Sequence, residues 1–236
     1  MTPRLPMTIA LAALLVPVVG ATAPLASEGA LAILDCDKVD RADCPALTAA
    51  LEQQSAAAAT LVAWLDKAEA KDAVRMSRAA VAIATLGDKT QAPSLHKAAA
   101  KLAEGDESKV DLLAAAARLG DKGASAGLLV LLAKGSPRTR VVATGALGLL
   151  GAREAVPTLI AALTDERQLR LQATAAQALG LIGDGRAIEP LIALAARPKV
   201  YTPARIQALD ALAAFRARAA VPLATQLIDH AERDVG

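Results

Sequence analysis

Aromatic side chains are almost absent from this chain of 236 residues: Trp64, Tyr201 and Phe215 are its whole complement, 1% of the sequence. Residues favoured in strands are correspondingly few. The 54% hydrophobic fraction is mostly alanine with leucine behind it, and these two lead the helix-propensity ranking, so the composition excludes a β-rich fold and points to an all-α one. An excess of charge of either sign is also missing. Twenty-six Lys and Arg face 24 Asp and Glu, a net +2, and the two signs are intermixed. No basic stripe exists to follow a phosphate backbone, which argues against a nucleic-acid partner.

Histidine and cysteine occur twice each. Neither His96 nor His230 is followed by glutamate, so the chain has no His-Glu pair of the kind that holds iron. Ser55, Ser77, Ser94, Ser108, Ser125 and Ser136 include no G-x-S-x-G elbow, and neither histidine is placed as a base for them. Cys36 and Cys44, in "DCDKVDRADC", lie eight positions apart. That spacing is not C-x-x-C, and in an oxidising compartment it reads as one disulfide closing a small loop. Asp35, Asp37, Asp40 and Asp43 surround it. Such a cluster offers oxygen ligands for calcium, but it lacks the glycine and distal glutamate of an EF-hand loop, and Lys38 and Arg41 offset its charge. Calcium binding stays open.

No apolar run is long enough for an ordinary membrane span. The longest, "MTIALAALLVPVVG" near the N-terminus, follows Arg4, is broken by Pro17, and leads to small residues at Ala21 and Ala23. This is the pattern of a cleaved export signal, residues 1–23, with an uncleaved membrane anchor as the alternative, followed by an N-terminal segment 24–45 with the disulfide loop. The expectation is an exported protein, periplasmic or secreted, with no membrane span after signal cleavage.

The stretch "GDGRAIEPLI", Gly183 to Ile192, has the look of a phosphate-binding loop. It is instead one copy of a repeat. The apolar marker positions Ala92, Ala124, Val156, Ile188 and Val221 are spaced 32, 32, 32 and 33 apart. Just upstream of each stands a helix-ending residue: Gly87, Gly120, Gly151, Gly183 and, last, Arg216. Glycine is the favoured left-handed C-cap. Counting back from the cap, the first position holds Leu86, Leu119, Leu150, Ile182 and Phe215, the fourth Ile83, Ala116, Leu147, Leu179 and Leu212, and the eighth Ala79, Leu112, Ala143, Ala175 and Ala208. Those offsets make one helical stripe. The fifth is alanine in every copy, Ala82, Ala115, Ala146, Ala178 and Ala211, which predicts close contact between helices. After a short polar turn a second helix begins, with Pro93, Pro157, Pro190 and Pro222 in its first turn. One such unit cannot bury its own apolar face, but stacked copies share a core. The repeat domain therefore spans 46–236, as a degenerate capping hairpin over 46–70 and five repeats over 72–236.

"RVVATGALGLLGAREAVPTLIAALTD" and "LRLQATAAQALGLIGDGRAIEPLIAL" resemble the short HEAT-like repeats of the phycobilisome-lyase type, most strongly from Arg140 to Ala196. The resemblance implies an α-solenoid of stacked antiparallel helical hairpins, an armadillo-type superhelix. Tetratricopeptide repeats of similar period need aromatic signatures absent here. "APSLHKAA" is similar to the ankyrin T-P-L-H-x-A motif but carries an extra residue and occurs once. Deoxyhypusine hydroxylase has a similar architecture but requires His-Glu pairs, which this chain lacks.

With no catalytic inventory and no implied cofactor, the expectation is a non-catalytic scaffold that binds a protein partner. The alternative is an enzyme or ligand carrier using the concave groove. By resemblance the second helices line the concave side, making Lys97, Lys101, Thr158, Asp165, Arg167, Glu189, Arg197 and Gln226 the candidate partner-binding residues. His230, on the last helix, reads as a solvated terminal residue, and His96 as a packed or half-buried one. Arg75, Arg140, Arg170 and Arg205 recur near the starts of first helices, either as a ladder for an acidic partner or paired to carboxylates such as Asp165 between repeats.

Overall fold

In a computed structural model the described residues are 28–39, 42–87, 89–216 and Thr225. Every regular element among them is helical. A 3-10 turn at Ala32–Asp35 precedes α1 (Pro45–Leu51) and α2 (Gln54–Lys67). Four units follow, each with a first and a second helix: α3 (Ala73–Leu86) and α4 (Ala92–Ala99), α5 (Glu107–Arg118) and α6 (Ala124–Lys134), α7 (Pro137–Leu150) and α8 (Val156–Ala162), α9 (Leu169–Ile182) and α10 (Ile188–Ala196). A further first helix, α11, runs Thr202–Ala214. Val221, Pro222, Gln226 and His230, and residues 1–23 with the expected export signal, lie outside the described residues.

The first helices end where the sequence places their caps. Gly87, Gly120, Gly151 and Gly183 have φ of 78°, 93°, 67° and 71°, and Arg216 takes the same left-handed conformation at φ 51°. The left-handed residue ends the helical ladder; before α4, α8 and α10 a 3-10 turn, at Lys89–Gln91, Arg153–Ala155 and Gly185–Ala187, then leads into the second helix. Pro93 and Pro157 stand in the opening turns of α4 and α8, where the lost N–H has no intrahelical partner to miss.

Packing proceeds from each element to its sequence neighbours. The first helices form one layer, α3 on α5, α5 on α7, α7 on α9 and α9 on α11, and each of α4, α6, α8 and α10 packs against the first helix that follows it. This is an α-solenoid of stacked antiparallel hairpins. Its core is continuous along the stack: the fourth, fifth and eighth positions before the cap are buried in all five copies. The invariant alanine marks backbone contact. A Cβ added to Gly148 would lie 2.7 Å from Ala178 Cα, and one added to Gly180 would lie 2.7 Å from Ala211 Cβ and 3.0 Å from its Cα.

The capping hairpin over 46–70 is unequal, with a short α1 and a long α2 that leans on α3 and α4. Where a full first helix would sit, the 3-10 turn at Ala32–Asp35 packs on α3. Ile33, Leu34 and Leu47 are fully buried there. The disulfide Cys36–Cys44 closes this segment on itself with Cα atoms 5.6 Å apart. Two arginines of α3 hold it down: Arg78 Nη1 donates to Leu34 O at 2.9 Å, and Arg75 reaches Asp35 at 3.1 Å while its guanidinium lies 5.6 Å from the Trp64 ring centroid.

Candidate functional site

The eleventh position before each cap carries Met76, Lys109, Arg140, Gln172 and Arg205. In four of the five copies its side chain reaches back to a carbonyl at, or just beyond, the end of the preceding second helix. Lys109 Nζ donates to Leu102 O at 3.2 Å, Arg140 Nε to Leu132 O at 3.0 Å, Gln172 Nε2 to Leu163 O at 2.8 Å, and Arg205 Nη2 to Arg197 O. A helix leaves its last carbonyls without intrahelical donors, so these side chains act as C-terminal caps supplied by the next hairpin. Met76 cannot donate. At that end of the stack Lys101 takes over, its ammonium bonding the carbonyls of Leu65, Asp66 and Ala68 at the end of α2.

Several expected binding residues also make contacts within the chain. Lys101 is this clamp. Arg197 pairs with Glu166 at 3.8 Å, and Lys97 with Asp66 at 3.8 Å. Asp165 accepts from the Arg167 backbone N–H and from Gln168 Nε2, and pairs with none of the four recurrent arginines. Arg75 meets a carboxylate, Asp35, whereas Arg140 and Arg205 meet carbonyls. Thr158, Glu189 and Arg167 are exposed.

Other singled-out residues have partners within the chain. His96 Nδ1 lies 2.9 Å from Asp121 Oδ2, and Asp121 Oδ1 accepts the Gly123 N–H at 2.8 Å, so this half-buried histidine joins α4 to the next turn. Asp35 and Asp37 face Arg75 and Arg78, Asp43 faces Lys38, and Asp40 lies outside the described residues. Asp184 is the N-cap of the 3-10 turn Gly185–Ala187. The Arg186 side chain, then the Arg186 N–H, hydrogen-bonds its carboxylate and lowers its pKa from 3.8 to about 2. The Arg186 pKa is raised in return by the same contact. Arg186 Nη2 also reaches Arg153 O, in the previous turn, at 3.5 Å. The glycine-rich stretch is thus a turn tied to its neighbour.

Exposed apolar surface gathers on the first helices. Val74, Leu149, Leu169, Leu181 and Ile206 all belong to that layer, with Val130 on α6 the exception among the described residues. A cavity of about 310 Å³ opens between α5, α7 and α9, lined by Val142, Gly145, Leu149, Leu181 and Arg118. A second, of about 620 Å³, shares Val141 and Val142 with it and continues past Leu169 to Arg138, Arg167 and Arg170 at the starts of α7 and α9. The two form one groove. The sequence signal for it was the second position before the cap, where Leu149 and Leu181 break the rule that this offset is small or polar, as in Thr85, Arg118 and Ala214.

Residues 125–203 match the family model for HEAT repeats, covering α7 to α10 and most of α6. Among curated proteins none matches the chain in sequence.

Proposed function

We propose that this chain is an exported, non-catalytic protein-interaction scaffold that binds its partner along the first-helix layer. The observation that carries the reading is the row of exposed leucines, Leu149, Leu169 and Leu181, over a groove in that layer. A groove of apolar side chains left in water is the mark of a surface that is covered in use. The first helices approach to backbone contact at Gly148 and Gly180, whereas most second helices lean on first helices. The first helices are thus the layer in direct mutual contact, which supports a partner face built by them rather than by the second helices. Export is supported by the N-terminal sequence and by the Cys36–Cys44 disulfide. The HEAT-repeat match over residues 125–203 supports the scaffold class.

The test is chemical crosslinking of the purified chain in an exported-protein fraction, with mass spectrometry of the linked residues. Protein crosslinks concentrated on α5, α7 and α9 are expected. A chain that gains thermal stability from small molecules and crosslinks to no protein would be a ligand carrier instead.

A further inference from the structure

The geometry points to an acidic peptide segment with leucine-like side chains as the occupant of the groove over α5, α7 and α9. This deepens the interaction reading above and rests on it. The floor is apolar and open. Val141 and Val142 are half-buried, and above the Gly145 Cα the nearest atom an added Cβ would meet is Thr174 Cγ2, 3.8 Å away. Leu149 and Leu181 stand on its rim at 56% and 54% exposure, and Leu169 at its far end at 44%.

The rim is cationic on both sides. Arg118 lies at one end, with Arg138, Arg167 and Arg170 at the other. Arg138 is engaged by Asp111 at 3.1 Å. Arg118, Arg167 and Arg170 have no ion pair among the described residues. Three unneutralised guanidiniums around an apolar floor complement carboxylates interleaved with apolar side chains.

Other occupants fit less well. Residues 1–27 contain no Asp or Glu and carry Arg4, so the chain's own leader has the wrong charge. Nucleic acid would leave the valine and leucine floor facing phosphates. A bilayer is flat and cannot follow a recess whose floor includes Gly145 and Ala146. Neighbouring helix axes lie roughly 8–10 Å apart, so three first helices span on the order of 20 Å. An extended chain of about six residues covers that distance.

The test uses the purified full chain and a fluorescein-labelled octapeptide of alternating Glu and Leu, read by fluorescence anisotropy. Its counterpart carries Lys in place of Glu. The acidic probe is expected to bind about tenfold tighter or more, and to weaken with salt. Combined Arg118→Glu, Arg167→Glu and Arg170→Glu substitution reverses the preference, while Leu149→Gln with Leu181→Gln weakens both probes. All five side chains are exposed, and an unchanged circular-dichroism melt confirms the fold. Equal binding of the two probes, or no effect of the arginine variant, overturns the proposal. So does binding to phosphatidylglycerol vesicles that the acidic probe fails to displace, or dimerisation in sedimentation that blocks the probe. A crosslinked protein partner retained by the arginine variant overturns this groove and leaves the scaffold reading intact. Probe binding through the arginines with no protein partner in the exported fraction does the reverse.

Discussion

Gly148 on α7 lies against the Cα of Ala178 on α9, so close that a side-chain carbon on the glycine would come within 2.7 Å of it. The obstacle is backbone, which cannot rotate aside. Gly148→Ala is therefore expected to destabilise the stack by about 1–3 kcal/mol, as overpacking does. Gly145, one turn earlier on the same helix, supplies the control, because an added Cβ there meets only Thr174 Cγ2 at 3.8 Å. Gly145→Ala should stabilise by about 0.5–1 kcal/mol through reduced unfolded-chain entropy. Urea denaturation of both variants checks this, and a loss of similar size in both would contradict the backbone-contact account.

Gln172 is 1% exposed and donates to Leu163 O at 2.8 Å. Replacing it with leucine keeps most of the volume and removes the donor from a helix end. The expected loss is about 1–3 kcal/mol, the cost of leaving a carbonyl unsatisfied. Gln172→Arg, which copies Arg140 and Arg205, should recover much of it. A leucine variant as stable as the wild type would remove the inter-hairpin cap from the list of stabilising contacts.

The same row shows what could and could not be read in advance. Period, caps, apolar stripe and the alanine at Ala82 to Ala211 were legible because one cause, helix packing, fixes them in every copy. The donors at Lys109, Arg140, Gln172 and Arg205 were not, because their chemistry differs although their target is the same kind of group. Aligned by residue type, the arginines suggested a row of Arg75, Arg140, Arg170 and Arg205; aligned by distance from the cap, Arg75 and Arg170 fall out and Lys109 and Gln172 come in. The groove was hidden for another reason. Leu149 and Leu181 look like core residues until their offset from the cap is set beside Thr85, Arg118 and Ala214, and the structure leaves both in water.

Arg216 is a non-glycine residue in the left-handed region, at φ 51°, in the cap position that glycine holds in the other four copies. An L-residue there costs roughly 1–2 kcal/mol relative to its preferred conformation. Arg216→Gly is expected to raise stability by about 1 kcal/mol and Gly183→Ala to lower it by about as much. Thermal melts of the two variants give the comparison, and a drop in Tm for Arg216→Gly would mean the guanidinium makes a contact worth more than the strain.

Asp184 gives the stability a definite dependence on acid. Its folded pKa is about 2 against an ordinary 3.8, held down first by the Arg186 side chain and then by the Arg186 N–H. A depressed carboxylate pKa means the unfolded chain binds the proton more readily. The contribution is therefore complete above about pH 5 and fades as pH falls through 4 toward 2. Melting wild type and Asp184→Asn side by side should show a gap that is constant near neutrality and closes in this window. A gap that stays the same down to pH 2 would assign the effect to turn geometry rather than to charge.

Thr144 occupies a position seven before the cap, where the other copies carry Ala80, Leu113, Ala176 and Leu209. It is fully buried, and its Oγ1 has no hydrogen-bond partner among the described residues. A buried hydroxyl without a partner costs roughly 1–3 kcal/mol, and valine has almost the same shape without that hydroxyl. The helix-propensity difference between the two is small. Thr144→Val should therefore leave the fold unchanged and stabilise it by about 1 kcal/mol. Chemical denaturation decides the matter: a destabilised valine variant would mean that the hydroxyl is bonded in solution, through water or through the Arg140 carbonyl one turn back, and that the core of α7 is wetter than its apolar neighbours imply.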